Sequence, residues 1–91
     1  MSDVLTDDEV DRRAPDGWAR DGDAITRTYE FDDYLAGVAF ATDVAEVAEE
    51  EFHHPAIEIG YETVTVTFTT HEAGGVTGQD LEMAELCDEL F

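Results

Sequence analysis

The sequence predicts an α+β domain in which a short helix, a hairpin, a long helix, a second hairpin and a last helix follow in the order α-β-β-α-β-β-α. Three observations predict it. Two stretches, Ile25–Phe31 and Thr63–Thr70, alternate with the period of a strand. Helix-capping residues stand at Thr6, at Asp32 or Asp33, and at Thr77. Between the two strand runs, residues 34 to about 52 carry apolar side chains at helical spacing. A chain of 91 residues, 43% of them hydrophobic, supports one domain over 1–91 with a modest core.

Each element has a local cause. Thr6-Asp7-Asp8-Glu9 has the spacing of a capping box, and the helix it opens ends before Pro15. Asp16-Gly17 marks a turn, and Trp18–Arg20 reads as a short strand. Asp21-Gly22-Asp23 is a hairpin signal leading into the next strand, with Ile25, Arg27, Tyr29 and Phe31 on one face and Thr26, Thr28 and Glu30 on the other. In the long helix Tyr34, Val38, Ala41, Ala45 and Ala48 form one apolar stripe, with Phe40, Val44 and Val47 beside it. So wide an arc calls for two covers, a sheet on one side and a partner subunit on the other. Pro55 follows the helix end, after which Ile57, Ile59 and Tyr61 alternate as a strand and Gly60 to Glu62 allows a turn. Val64, Val66 and Phe68 face inward from the clearest strand, with Trp18, Phe40 and Phe68 read as core. Gly74-Gly75 is a loop, and Thr77–Asp80 opens a helix with Leu81, Ala84, Cys87, Leu90 and Phe91 inward.

The charge excludes whole classes of partner. Asp and Glu number 24 against four arginines and no lysine, a net charge of −20. Such a chain does not neutralise phosphates, so no nucleic-acid partner is expected. We read the acidity as halophilic, an adaptation to a salty cytoplasm. Self-repulsion loosens the folded state in dilute buffer, and salt screens it. The thermal midpoint is therefore expected to climb as KCl rises to about 1 M, where the screening length falls to about 3 Å. A midpoint indifferent to KCl would contradict this. The single Cys87 forms no internal disulfide, and no apolar run approaches a membrane span. A cytoplasmic protein without a membrane partner is expected.

The chemistry concentrates in "EFHHPAI", residues 51–57, and "TTHE", residues 69–72. Adjacent His53 and His54 serve either as caps for free helix-end carbonyls or as proton-transfer groups. His71 is either a solvated strand end or the third imidazole of a site. Asp80 is accounted for by helix capping alone. Zinc held by three histidines is disfavoured, because neighbours at i and i+1 point apart and no H-x-x-x-H spacing occurs. No metal and no cofactor is expected. Cys87 reads as packing material, and no G-x-S-x-G or phosphate-cradling loop is present.

The stretch "AEEEFHHPAIEIGYETVTVTFTTHEAGGVTGQDLEMA", residues 48–84, resembles the pterin-4a-carbinolamine dehydratase family, also known as dimerisation cofactors of a homeodomain factor. The pattern is an acid, three residues, His-His-Pro, an aromatic, a further His and an Asp. Glu49, His53, His54, Pro55, Tyr61, His71 and Asp80 fill those places. Gly17-Trp18, Ile25–Phe31 and Val44–Glu49 match upstream, so the resemblance runs from about Leu5 onward.

The resemblance implies a four-stranded antiparallel sheet with helices packed on one face, in a homodimer or homotetramer. It implies dehydration of 4a-hydroxytetrahydropterin to quinonoid dihydropterin, a hydro-lyase step in tetrahydropterin recycling, without metal or cofactor. By that likeness His53 and His71 are the acid–base pair, His54 orients the pterin, and Asp80 and Glu49 support the imidazoles. Pro55, Thr70, Glu72 and Ala73 are expected beside the substrate. Two alternatives accompany this reading: a non-catalytic protein-binding or dimerisation module, and a related pterin role in molybdenum-cofactor metabolism.

Overall fold

A computed structural model describes residues 3–91. The elements are α1 (Asp7–Arg13), β1 (Ala19–Asp21), β2 (Ala24–Glu30), α2 (Tyr34–Glu51), β3 (Ala56–Ile59), β4 (Thr63–Phe68) and α3 (Gly78–Leu90). The strands form one antiparallel sheet in the order β1-β2-β4-β3. This is the α+β architecture and element order that the sequence predicts.

Strand alternation decides which face is buried. Ile25 lies opposite Phe68, Arg27 opposite Val66 and Tyr29 opposite Val64, so one face of the central pair is apolar apart from Arg27. Val64, Val66, Phe68 and Ile25 are buried there, together with Val10, Phe40, Val44, Ala84 and Cys87 from the helices. The other face of the same strands is a threonine ladder. Thr26 and Thr67 pair through their hydroxyls at 3.0 Å, and Thr28 and Thr65 at 2.8 Å. Cross-strand hydroxyl pairs of this kind fix the register that keeps the apolar set inward.

Capping sets the helix starts. Thr6 and Glu9 close a reciprocal box, the Thr6 N–H donating to Glu9 at 2.9 Å and the Glu9 N–H to the Thr6 hydroxyl at 3.1 Å. These bonds hold the Glu9 carboxyl below its ordinary 4.5. Asp33 accepts from the Ala36 N–H at 2.8 Å and starts α2. Gly37 lets that helix lie close on the sheet, since a Cβ there would stand 3.3 Å from the Val64 side chain.

The buried stripe of α2 differs from the one its spacing suggests. Gly37, Phe40, Ala41, Val44 and Ala48 face the sheet, whereas Tyr34 and Ala45 of the expected stripe are exposed. The sheet takes the line that carries Phe40 and Val44, the bulkier side chains. The turn expected at Gly60–Glu62 is found, closed by the Gly60 N–H on Thr63 O at 2.8 Å, and it leaves Tyr61 outside β3, which stops at Ile59. Leu90 and Phe91 lie at the margin of the core rather than inside it. The Phe91 ring still packs on Tyr29, Phe31 and Phe40, with centroids 5.0, 5.5 and 5.9 Å away.

A second, polar centre ties α3 to the sheet. Asp88 accepts from Trp18 Nε1 at 3.1 Å, from Arg27 Nη1 at 2.9 Å and from the Tyr29 hydroxyl at 2.5 Å. Gly17 serves it too: at φ +92° a Cβ would come within 2.9 Å of the Arg27 guanidinium. Burial, then the Asp88 carboxylate, push the Tyr29 hydroxyl far above its ordinary 10.0.

Cys87 is fully buried, and burial pushes its thiol up to about 12 from an ordinary 9.0. The native state keeps this proton over a range in which the unfolded chain releases it. Stability therefore falls as pH rises from about 9 to about 12, by on the order of 1 kcal/mol per pH unit, with Tyr29 adding loss of the same sign. Cys87→Ala is expected to flatten the lower part of that decline, measured by denaturant titration between about pH 8 and about pH 10.5. An unchanged slope would contradict the assignment.

Candidate active site

The end of α2 builds the first half of the site. Its N–H groups close a Schellman-type stop: Phe52 takes the left-handed conformation at φ 53°, and the His53 N–H bonds Ala48 O at 3.1 Å. That turn sends His53 into the molecule, where the residue is 8% exposed. Its ring lies parallel to Phe68, at 6.0 Å between centroids and 6° between planes. Trp18 packs on Phe68 in turn, with ring centroids 5.9 Å apart.

Asp80 fixes the His53 proton. The carboxylate is wholly buried in the first turn of α3, where the helix N-terminus favours negative charge. Oδ2 accepts from the Thr70 hydroxyl at 2.8 Å and from the Thr77 N–H at 2.9 Å, and Oδ1 meets His53 Nε2. Thr70 spends its only hydroxyl proton on Asp80, so across the 2.9 Å Thr70–Thr77 contact Thr77 is the donor. With every other neighbour donating to the carboxylate, Nε2 of His53 must donate as well, and Nδ1 is left with the lone pair. Nδ1 has no hydrogen-bond partner, yet no buried side-chain nitrogen or oxygen among the described residues lacks one. It is therefore the nitrogen that reaches the surface, and His53 lines the cleft described next.

The other two imidazoles stand in solvent. The His54 side chain is 56% exposed, with Nε2 at 3.4 Å from Glu49 Oε1. His71 is exposed in the turn after β4, where Thr70 O accepts from the Ala73 and Gly74 N–H groups at 3.1 and 2.9 Å. Phe52, His53, His54, Thr69, His71 and Glu72 line one cleft of about 170 Å³. Three imidazoles in three settings thus share one opening: one backed by a buried carboxylate, one beside an exposed carboxylate, one in water. A larger hollow of about 480 Å³ is lined by Asp43, Glu46, Glu49 and Glu50 with Val47 and Leu90. It holds no imidazole and offers no proton-transfer group suited to neutral pH.

Of the residues expected at the site, His53, His54, His71 and Glu72 meet in the cleft. Asp80 stands behind it on His53, and Glu49 sits beside His54. Thr70, Pro55 and Ala73 are not among the lining residues. Thr70 is buried, its hydroxyl on Asp80 and its backbone N–H and carbonyl both taken by the turn. Ala73 spends its N–H on Thr70 O. Phe52 and Thr69 line the cleft without having been singled out in the sequence. Thr69 extends the outward alternation of β4, a signal that was readable; the left-handed backbone of Phe52 was not. Among the described residues no group of three or more His, Cys, Asp or Glu is arranged to hold a metal ion, and no helix is long and apolar enough to cross a membrane.

The chain is similar to known proteins over nearly its whole length. The family model described as pterin 4 alpha carbinolamine dehydratase matches residues 3–90. A protein of Halobacterium salinarum with the provisional name pterin-4-alpha-carbinolamine dehydratase is 60% identical over 89 residues, 98% of each chain. A crystal structure from Brucella melitensis, described as a transcriptional coactivator/pterin dehydratase, superposes with a TM-score of 0.89 at 36% identity, covering 97% of this chain and 98% of that one. A pterin dehydratase-like protein described as a RuBisCO assembly factor in the alpha-carboxysome superposes with a TM-score of 0.69 at 25% identity, covering 81% of this chain and 88% of that one.

Proposed function

The chain belongs to the pterin 4 alpha carbinolamine dehydratase family, and from that premise we propose that it removes water from a 4a-hydroxytetrahydropterin to give a quinonoid dihydropterin. The observation that carries the proposal is the convergence of His53, His54 and His71 on one cleft, with Asp80 fixing the tautomer of His53. Water loss from a carbinolamine breaks the C4a–O bond, delivers a proton to the departing oxygen and takes the proton from N5. The N5–H electron pair becomes the new C4a=N5 bond, so the products are dihydropterin and water.

His53 is suited to the base role, because its free Nδ1 faces the cleft and the Asp80 carboxylate offsets the charge as the ring takes a proton. His71 is suited to the acid role: in open solvent it regains its proton from water after each turnover. His54, steadied by Glu49, orients the ring, and Glu72 lines the same rim. Thr70 acts through Asp80 as a positioning residue. The same reading has the chain self-associate as a dimer or tetramer. Leu35, 74% exposed near the start of α2, supports that step, and sedimentation in molar KCl gives the size.

The test is the decay of a freshly generated 4a-hydroxytetrahydropterin, followed by absorbance in molar KCl. The chain is expected to speed the decay well beyond the buffer rate. The likeness to a protein described as an assembly factor favours a second reading, a non-catalytic module that binds a protein partner. Decay at the buffer rate, together with a stoichiometric protein partner recovered at high salt, would favour that reading.

A further inference from the structure

We propose that Phe52 is the stacking wall of the cleft, a specificity-determining residue that holds a flat bicyclic ring against the imidazoles. The inference rests on the pterin reading above and adds a residue to it. Among the described residues, Phe52 is the only non-glycine with a positive φ, at 53°. A bulky side chain in that region is strained, and glycine or asparagine would make the same helix stop with less strain.

Among the described residues no aromatic packing offsets that strain. Phe52 is 85% exposed, more than any other large hydrophobic residue among those described. It also joins none of the aromatic pairs that knit Trp18, Tyr29, Phe31, Phe40, Phe68 and Phe91 together. The left-handed turn sends His53 inward and leaves the Phe52 side chain outside, on the lining of the cleft.

The size of the cleft says what that ring is for. About 170 Å³ is small beside the roughly 300–1,000 Å³ of ordinary ligand pockets, so a bicyclic ring seats its reacting edge and leaves the rest on the rim. Phe52 is the only phenyl ring on that lining; the other residues there are histidines, a threonine and a glutamate. A planar heterocycle lying across the rim meets a face of matching shape and gains stacking that polar side chains do not supply.

Three variants test this: Phe52→Asn, Phe52→Ala and Phe52→Trp. Each is assayed for dehydration and for binding of biopterin, an unreactive pterin followed by its own fluorescence. Thermal melts and sedimentation are run in the same molar KCl. Phe52→Asn is expected to melt higher than the wild type, because the strain is less, yet to bind biopterin about tenfold more weakly. Its KM should rise by about the same factor, and kcat should fall by less than KM rises. Phe52→Ala should weaken binding similarly, and Phe52→Trp should retain it. Wild-type affinity in both Phe52→Asn and Phe52→Ala would overturn the proposal while leaving the pterin reading intact. So would a changed oligomeric mass at unchanged affinity, which would make Phe52 an association residue. A wild-type chain that neither binds biopterin nor speeds dehydration would overturn the pterin reading itself, and this inference with it.

Discussion

Replacing Asp80 by Asn is expected to cut the dehydration rate by on the order of a hundred- to a thousandfold while leaving the chain folded. The amide keeps the shape of the carboxylate but has one acceptor oxygen and one donor nitrogen. The Thr77 N–H is a fixed donor at 2.9 Å, so the amide oxygen must stay on that side and the amide nitrogen must turn to His53. His53 Nε2 then has to accept, and its proton moves to Nδ1, the nitrogen that opens to the cleft. The base is lost through its tautomer, and so is the negative charge that would face a protonated ring. Absorbance-followed dehydration and a thermal melt of the same sample check both halves. A variant that melts like the wild type and keeps its rate would show that Asp80 does not set the His53 proton.

Asp88→Ala is expected to destabilise the fold strongly. Three donors converge on this carboxylate, from Trp18, Arg27 and Tyr29, and all three residues pack into the core or against it. Truncation leaves an indole N–H, a phenol and a guanidinium without their acceptor, a loss on the order of 3 kcal/mol. A domain of this size has about 5–15 kcal/mol in all, so the midpoint should drop by about 10–20 °C. Asp88→Asn keeps one acceptor oxygen and should lose less. The damage reaches the site as well, because Trp18 packs on Phe68 and Phe68 stacks on His53. Thermal unfolding in molar KCl measures the effect, and a drop of only a degree or two would contradict the role given to Asp88.

What the sequence disclosed was local. The capping box at Thr6–Glu9, the cap on α2 and the alternation of Val64, Val66 and Phe68 obey rules that span a few residues, and each is found where expected. The divergence of His53 and His54 was equally readable, since neighbours along a chain cannot share a direction. The turn at Gly60–Glu62 was readable too, although Tyr61, which continues the parity of Ile57 and Ile59, lies in that turn rather than in the strand.

The polar centres were hidden by distance. Asp88 is one acid among 24, and its partners lie 59, 61 and 70 residues away. Thr70 and Thr77 look like any strand-end threonine and helix cap until the fold aims both at Asp80. His71 was recognisable as a member of the site only through the family pattern, because nothing local ties it to residues 53 and 54. Phe52 was invisible for the opposite reason: its residue type argues against the backbone conformation it adopts.

A kinetic cycle over the two imidazoles assigned to proton transfer tests the proposed dehydration most directly. The decay of 4a-hydroxytetrahydropterin would be followed in molar KCl for the wild type, His53→Ala, His71→Ala and the double variant. Each single change is expected to remove on the order of a hundred- to a thousandfold of the acceleration, and the double variant should lose little beyond the worse single, because the two groups serve one proton-transfer step. A His71→Ala chain that dehydrates the carbinolamine as fast as the wild type would contradict the assignment of both imidazoles to one proton-transfer site.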